Sequence, residues 1–309
     1  MPEPLEIGIR QVQIEQDTGK TLSAPPFNLI DLNRVGVPLV EIITDPFPLP
    51  SADVAAKVVA KLQGLLRAVD ACVIGMEWGG LRADVNVSVA LTGAEELGQR
   101  CEIKNLSSFK AIEDAISAEA KRQIAMLEAG EIVQGETRGW DAETSTTHRL
   151  RGKEGEVDYR FMPEPDLAAV VLSKEVVEKV RAVMPPLPET LIEALVGEYG
   201  LSSKDSRTLL ALDDGRTANP RGVVSYLRET TQAVVSRSPG KKPREVGKVV
   251  GNWLLHELGG HLSAKELSWE QNPVDRPRFI EFILMILDGR ITGMRLFTPL
   301  QTVHDTDDT

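Results

Sequence analysis

Residues Ala83-Asp-Val-Asn-Val-Ser-Val-Ala-Leu91 set Val85, Val87 and Val89 on one side of an extended chain and Asp84, Asn86 and Ser88 on the other. That is the period of a strand with one apolar and one polar face. Working outward, Gln11–Asp17 alternates in the same way, Val12 and Ile14 against Gln13 and Glu15. Arg100-Cys-Glu-Ile-Lys104 and Leu39-Val-Glu-Ile-Ile43 are two more short strands, bounded by Gly98 and by Pro38 and Pro46. Such strands are expected to pair mostly antiparallel, each with one buried face and one chemically rich face.

Two helices interrupt them. Ser51 can cap one that carries Val54, Val58, Leu62 and Leu65, and Ser107 or Ser108 one that carries Phe109, Ile112, Ile116, Ala120 and Leu127 and ends at Gly130. Pro163, Pro165 and the run Pro185-Pro-Leu-Pro188 mark a change of character, after which helical segments alternate with Gly, Asn and Pro. The expected class is α+β: an antiparallel-rich sheet with helices over residues 1–185, a linker near 183–188, then an all-α domain over 186–288. Val246–Leu262 and Arg276–Leu287 are the clearest helices of that second domain, and residues 289–309 read as a frayed start of a further segment.

Composition narrows the functional classes. With 309 residues, 42% of them hydrophobic, the chain can bury the cores of two domains. No run approaches the length a bilayer span needs, and even the stretch Phe279–Leu287 is broken by Glu281 and then Asp288. A formal charge of −11 argues against a protein that coats nucleic acid. The balance reverses locally, since Ser202–Val250 holds ten basic residues against five acidic ones. A solvated helical face and a contact to backbone phosphates explain that excess equally well. Two cysteines, Cys72 and Cys101, are too few for a disulfide framework and read as packing residues. The acidic start from Met1 enters a strand pattern within a few residues and reads as neither a secretory signal nor an Arg-rich transit peptide.

The polar strand faces gather Glu15, Glu41, Asp84 and Glu102 with Arg34, Arg82 and Lys104, all in or beside strands able to share one sheet. Carboxylates on strands suit Mg²⁺, and Arg and Lys suit the phosphates that Mg²⁺ also binds. Phosphoryl transfer is one reading and a solvated sheet face the other. Familiar nucleotide motifs are missing: Gly75-Met-Glu-Trp-Gly-Gly80 has neither dinucleotide nor P-loop spacing, and Gly19-Lys20-Thr21 lacks the upstream glycine. His256 and His261 are five apart, so they do not face one side of a helix as a zinc-protease pair must. No serine or cysteine stands in a nucleophile-elbow context, and Trp140 and Trp253 read as core or interface aromatics.

Six ordered blocks carry more specific information. Ile14-Glu-Gln-Asp-Thr-Gly-Lys20, Asp31-Leu-Asn-Arg-Val-Gly-Val-Pro-Leu-Val-Glu-Ile42, Met76-Glu-Trp-Gly-Gly-Leu-Arg-Ala-Asp-Val-Asn-Val-Ser88, Glu102-Ile-Lys-Asn-Leu-Ser-Ser-Phe109, Glu136-Thr-Arg-Gly-Trp140 and Asp158-Tyr-Arg-Phe-Met-Pro-Glu-Pro-Asp-Leu167 resemble the GatB/GatE family of tRNA-dependent amidotransferases in order and spacing. Glu198-Tyr-Gly-Leu201, Asn252-Trp-Leu-Leu-His-Glu-Leu258 and Asp288-Gly-Arg-Ile-Thr-Gly293 extend the likeness more weakly.

The resemblance implies a glutamine-synthetase-like cradle followed by a helical domain. It implies a protein that uses ATP and Mg²⁺ to phosphorylate the side-chain carboxylate of Glu-tRNA(Gln), so that ammonia from the glutaminase of the same amidotransferase complex displaces the phosphate. A small third partner in that complex, no membrane and a mitochondrial setting belong to the same expectation. Carried over by position, Glu15 and Glu41 match metal-site acids, and Arg82 and Asp84 match the segment associated with nucleotide and acceptor. Lys104 and Arg138 fit phosphate or carboxylate contacts by type, while Arg160 and Glu164 stand in a block that is either functional or structural.

Gln16, Trp78 and Gly80 depart from the family's usual Glu, Glu and Ser. By the family pattern the chain also starts about a hundred residues late and lacks most of the tail domain, so a non-catalytic assembly or tRNA-binding fragment is the rival expectation. An archaeal-type GatE protein should carry an inserted domain that this sequence does not show.

Overall fold

The computed structural model describes residues 5–17, 20–33, 35–72, 74–152, 165, 166, 168 and 170–291. It divides into two compact units, Met1–Val54 and Ala55–Thr309.

The first unit is built of β1 (Ile9–Gln16), β2 (Lys20–Ala24), β3 (Phe27–Asp31) and β4 (Pro38–Thr44). β1 pairs antiparallel with β4, with Gln13 opposite Glu41 and Glu15 opposite Leu39. β2 and β3 form a separate hairpin with Leu22 opposite Leu29. The alternation of β1 is present but its burial is inverted relative to expectation. Val12 and Ile14 are 62% and 81% exposed, while Gln11, Gln13 and Glu15 are half-buried. The polar side is covered by its own ladder, in which Gln11 Nε2 donates to Gln13 Oε1 at 2.7 Å and Gln13 Nε2 to Glu15 Oε1 at 3.0 Å. The apolar side stays open because nothing among the described residues packs on it.

In the second unit, α1 (Ala52–Ala68), which starts in the last residues of the first, leads to a four-stranded sheet. Its order is β5 (Ala83–Val87), β6 (Cys101–Leu106), β7 (Glu136–Asp141), β8 (Thr146–Gly152). β5–β6 and β7–β8 are antiparallel, and the central β6–β7 pair is parallel. The parallel step follows from α2 (Phe109–Glu128), since a strand leaving β6 through a helix returns in the same direction. Ser108 caps α2 by accepting the Ala111 N–H, and Gly130 beyond its end takes φ 75°. α2 and the inner face of the sheet bury Val87, Cys101, Ile103, Leu106, Ile112, Ala115 and Ile116 together. The sequence pattern does not mark β7 and β8 as strands, because Glu136-Thr-Arg-Gly-Trp-Asp is polar and contains glycine. Their regularity comes from the buried partners described below.

The remaining described chain is helical: α3 (Lys174–Val183), α4 (Pro188–Tyr199), α5 (Ser203–Leu212), α6 (Val223–Arg237), α7 (Pro243–Asn252), α8 (Gly259–Ala264) and α9 (Arg276–Leu287). A π turn over Trp253–Leu258 joins α7 to α8. Leu191, Leu195, Leu209, Leu227, Val250, Leu254 and Ile283 form the centre of this core. The cap of α6 comes from elsewhere: Gly222 has no side chain to offer, and the buried Asp213 carboxylate accepts the N–H groups of Val223 at 2.7 Å and Val224 at 3.1 Å. Small, mainly antiparallel sheets with helices make a mixed α and β architecture consistent with the α+β class.

Candidate functional site

On the open face of the four-stranded sheet, neighbouring β5 and β6 bring Asp84, Glu102 and Lys104 together. Lys104 Nζ lies 3.1 Å from Asp84 Oδ2 and 3.3 Å from Glu102 Oε1. The second Asp84 oxygen accepts the Asn105 N–H at 2.8 Å. Asn105 has φ 61°, and the β5–β6 register shifts between Ala83 and Val85, so the backbone bends toward the carboxylate at this point. Glu102 is also met by Thr137 Oγ1, 3.5 Å from Oε2, across the parallel step. Partial burial opposes the Lys104 charge, but Asp84 and then Glu102 outweigh it and hold the ammonium above the ordinary lysine value. Arg82, two residues ahead of Asp84, is exposed. The result is a rigidly held cation flanked by two acids, which can trade a carboxylate for a phosphate or a substrate carboxylate.

Arg138 is not part of this cluster. Its register partner is Ile103, not Glu102, so it projects from the opposite, helix-covered face. There it is 7% exposed: Nε is 2.8 Å from Thr147 Oγ1 and 3.2 Å from Glu119 Oε2, Nη2 donates to Thr147 O at 2.6 Å, and Nη1 pairs with Glu136. Glu119, on α2, is 0% exposed and is held by Arg122 at 2.7 Å and 3.0 Å, Gln123 at 2.8 Å and Thr147 at 2.8 Å. Burial pushes its carboxyl up, and the hydrogen bonds from Arg122, Gln123 and Thr147 overcome that, so it lies below the ordinary glutamate value.

Sequence reasoning missed Glu119 and Gln123. The signal was there: both continue the spacing of Ile112 and Ile116 and so stand on the buried stripe of α2, where a polar side chain needs a partner.

Glu15 and Glu41 lie in the first unit. Glu41 is opposite Gln13 and Glu15 is two residues beyond it, so both project from one face of the β1–β4 pair. The acids and bases expected to share one sheet are thus distributed over two. Arg34, Arg160 and Glu164 lie outside the described residues. Among the described residues no group of three or more His, Cys, Asp or Glu is arranged to hold a metal ion.

Residues 2–178 match the family described as the GatB/GatE catalytic domain. The mitochondrial B subunit of glutamyl-tRNA(Gln) amidotransferase from Emericella nidulans is 45% identical over 315 residues, covering 98% of this chain and 52% of that protein. The corresponding proteins of Ajellomyces capsulatus (strain G186AR) and Paracoccidioides lutzii are 45% and 46% identical, covering 99% and 98% of this chain and 55% and 52% of theirs. The chain therefore spans about half the length of the curated relatives it matches. The family match takes in every described strand, including those that carry Asp84 and Lys104, and the chain belongs to the GatB/GatE catalytic domain family.

Proposed function

We propose that this chain is the kinase component of a glutamyl-tRNA(Gln) amidotransferase, part of an ATP-dependent ligase acting in mitochondrial translation. It would phosphorylate the side-chain carboxylate of the misacylated glutamate, for displacement by ammonia from the glutaminase of the complex. The observation that carries the reading is the Asp84–Lys104–Glu102 cluster on the open face of a sheet within the family's catalytic domain. The names of the relatives support the mitochondrial setting and the existence of companion subunits; that these are the glutaminase and a small third subunit is part of the proposal.

In this reading Lys104 holds phosphate oxygens, while Asp84 fixes the ammonium through one oxygen and the β6 backbone through the other. Arg82 meets the acceptor or nucleotide from the strand's approach, and no protein nucleophile is needed because the substrate carboxylate attacks. Arg138, offered as a phosphate contact by residue type, would support the site indirectly, through its bonds to Glu119, Glu136 and Thr147 on the helix-covered face, rather than by touching the nucleotide. Mg²⁺ commonly takes only one or two protein carboxylates, and Glu15 and Glu41, which share one face of the β1–β4 pair, are the residues that would hold it. The ion would supply neutralisation of phosphate charge. The glutamine-synthetase-like cradle, with domain limits near 185 and 288, belongs to the same proposal. Exposed Lys204, Arg207, Lys241, Lys242, Arg244 and Lys248 support a contact to tRNA phosphates.

The test combines the chain with the glutaminase, Glu-tRNA(Gln), Mg²⁺ and radiolabelled ATP. tRNA-dependent ADP release and Gln-tRNA(Gln) are expected. Asp84→Ala and Lys104→Met should each lower turnover about a hundredfold, the scale of a lost electrostatic contact. Turnover unchanged in both variants would overturn the assignment. A stable complex with no wild-type turnover would favour the non-catalytic assembly or tRNA-binding role.

A further inference from the structure

The helix-covered face of the sheet carries polar contacts that packing alone does not require. Within about one turn of α2, Gln123 Nε2 donates to Val87 O of β5 at 3.1 Å, Arg122 Nη2 lies 3.4 Å from Cys101 Sγ of β6, and Glu119 reaches Arg138 of β7 and Thr147 of β8. One helix face thus holds every strand of the sheet. Buried polar groups add little stability over well-packed apolar ones, but directional bonds fix which geometry the strands adopt.

Gln123 makes the point most sharply. It is 1% exposed, and its Oε1 is buried with no hydrogen bond among the described residues. A methionine would fill that space without an orphan acceptor. What the amide adds is its donor group, which serves both Glu119 Oε1 at 2.8 Å and, at 3.1 Å, the carbonyl three residues after Asp84. We propose that Gln123 is a positioning residue for the reaction face: by holding Val87 O it sets where β5, and with it Asp84, lies against Lys104 and Asn105 of β6. This rests on the open face being the reactive one.

The test is hydrogen exchange at the Asn105 amide, whose N–H donates to Asp84. It uses the full 309-residue chain as wild type, Gln123→Met and Thr147→Val. Exchange at Asn105 should rise about fivefold to tenfold in Gln123→Met, the effect of one lost hydrogen bond on local opening. The thermal midpoint should fall by a similar small amount in both variants, since each also removes one hydrogen bond from the buried Glu119 carboxylate. Thr147→Val cuts the tie to β8 and should leave Asn105 within about twofold of wild type. If Gln123→Met does not fold, Gln123→Asn, whose amide stops a methylene short of Val87, gives the same comparison. An unchanged Asn105 in the Gln123 variant, or an equal rise in both variants, would overturn the proposal. So would uniform acceleration across residues 101–106, which would make Gln123 a packing residue. No ATP enters this measurement, so its failure leaves the reaction assignment to the turnover of Asp84→Ala.

Discussion

Glu119 shows how a single ionised side chain ties folding to pH. Its carboxyl lies below the ordinary glutamate value of 4.5 in the folded chain, so the folded state resists taking up its proton. The stabilisation it brings is therefore complete above about pH 4.5 and is lost as pH falls through the lower folded value. Chemical unfolding at pH 5 and pH 3 should show wild type losing more stability across that interval than Glu119→Gln. An equal loss in both would remove Glu119 from the account. At Gly222 the constraint is steric. A Cβ there would come within 2.3 Å of Asp213 Oδ1 and displace the carboxylate that caps α6. Gly222→Ala should cost about 1–3 kcal/mol in denaturant unfolding, the range for overpacking and for loss of a cap. Arg138 marks the limit of reading residue types. Its chemistry suits a phosphate, but only the parallel register shows which face of the sheet it serves. That register depends on a crossover helix whose partner strand, polar and glycine-bearing, carries no alternation.

At the scale of elements, the segment expected to be one helix over Val246–Leu262 is helical throughout but changes its winding. Its buried Val and Leu residues, Val246, Val250, Leu254, Leu258 and Leu262, recur at a strict spacing of four. In an α-helix each such step overshoots a full turn by about 40°, so four steps would carry the last residue to the opposite side. The wider π turn over Trp253–Leu258 falls short of a full turn at the same spacing and returns the line to the core. The spacing is legible in the sequence; which turn widens to accommodate it depends on the core that the line of residues must face. Gly259 belongs to the device: its N–H bonds to Leu254 O, and a Cβ would sit 2.9 Å from that oxygen. Gly260 has nothing within 4 Å of the same position. Gly259→Ala should lower the thermal midpoint, at a cost of about 1–3 kcal/mol, whereas Gly260→Ala should raise it, with a gain in stability of about 0.5–1 kcal/mol as a helix glycine is replaced. Equal effects at the two sites would refute the role given to the π turn.

For the molecule as a whole, the alternating strands and amphipathic helices near the opening motif were legible because their patterns are local. The partition of the acids between two units was not, since strand pairing joins distant residues. The same holds for the outward apolar side of β1. Val12, Ile14 and Val40 on one strand pair, with Leu22, Phe27 and Leu29 on the hairpin, present apolar surface to water beside strand edges that no further strand among the described residues pairs. The isolated chain is expected to self-associate, and Ile14→Lys should shift its sedimentation profile toward monomer. A monodisperse wild-type chain with one cooperative unfolding transition would count against this. The mixed sheet has a further consequence for synthesis. Its halves, β5–β6 and β7–β8, are each antiparallel and close over short distances, whereas the parallel seam between them must wait for α2 and β7. A ribosome delivering the chain from its N-terminus would release the β5–β6 half with β6 as an unpaired edge, for as long as residues 107–135 take to emerge. The helix that follows directly is then the first cover available to that half, so a pause in translation within α2 should be more hazardous to yield than one after β8.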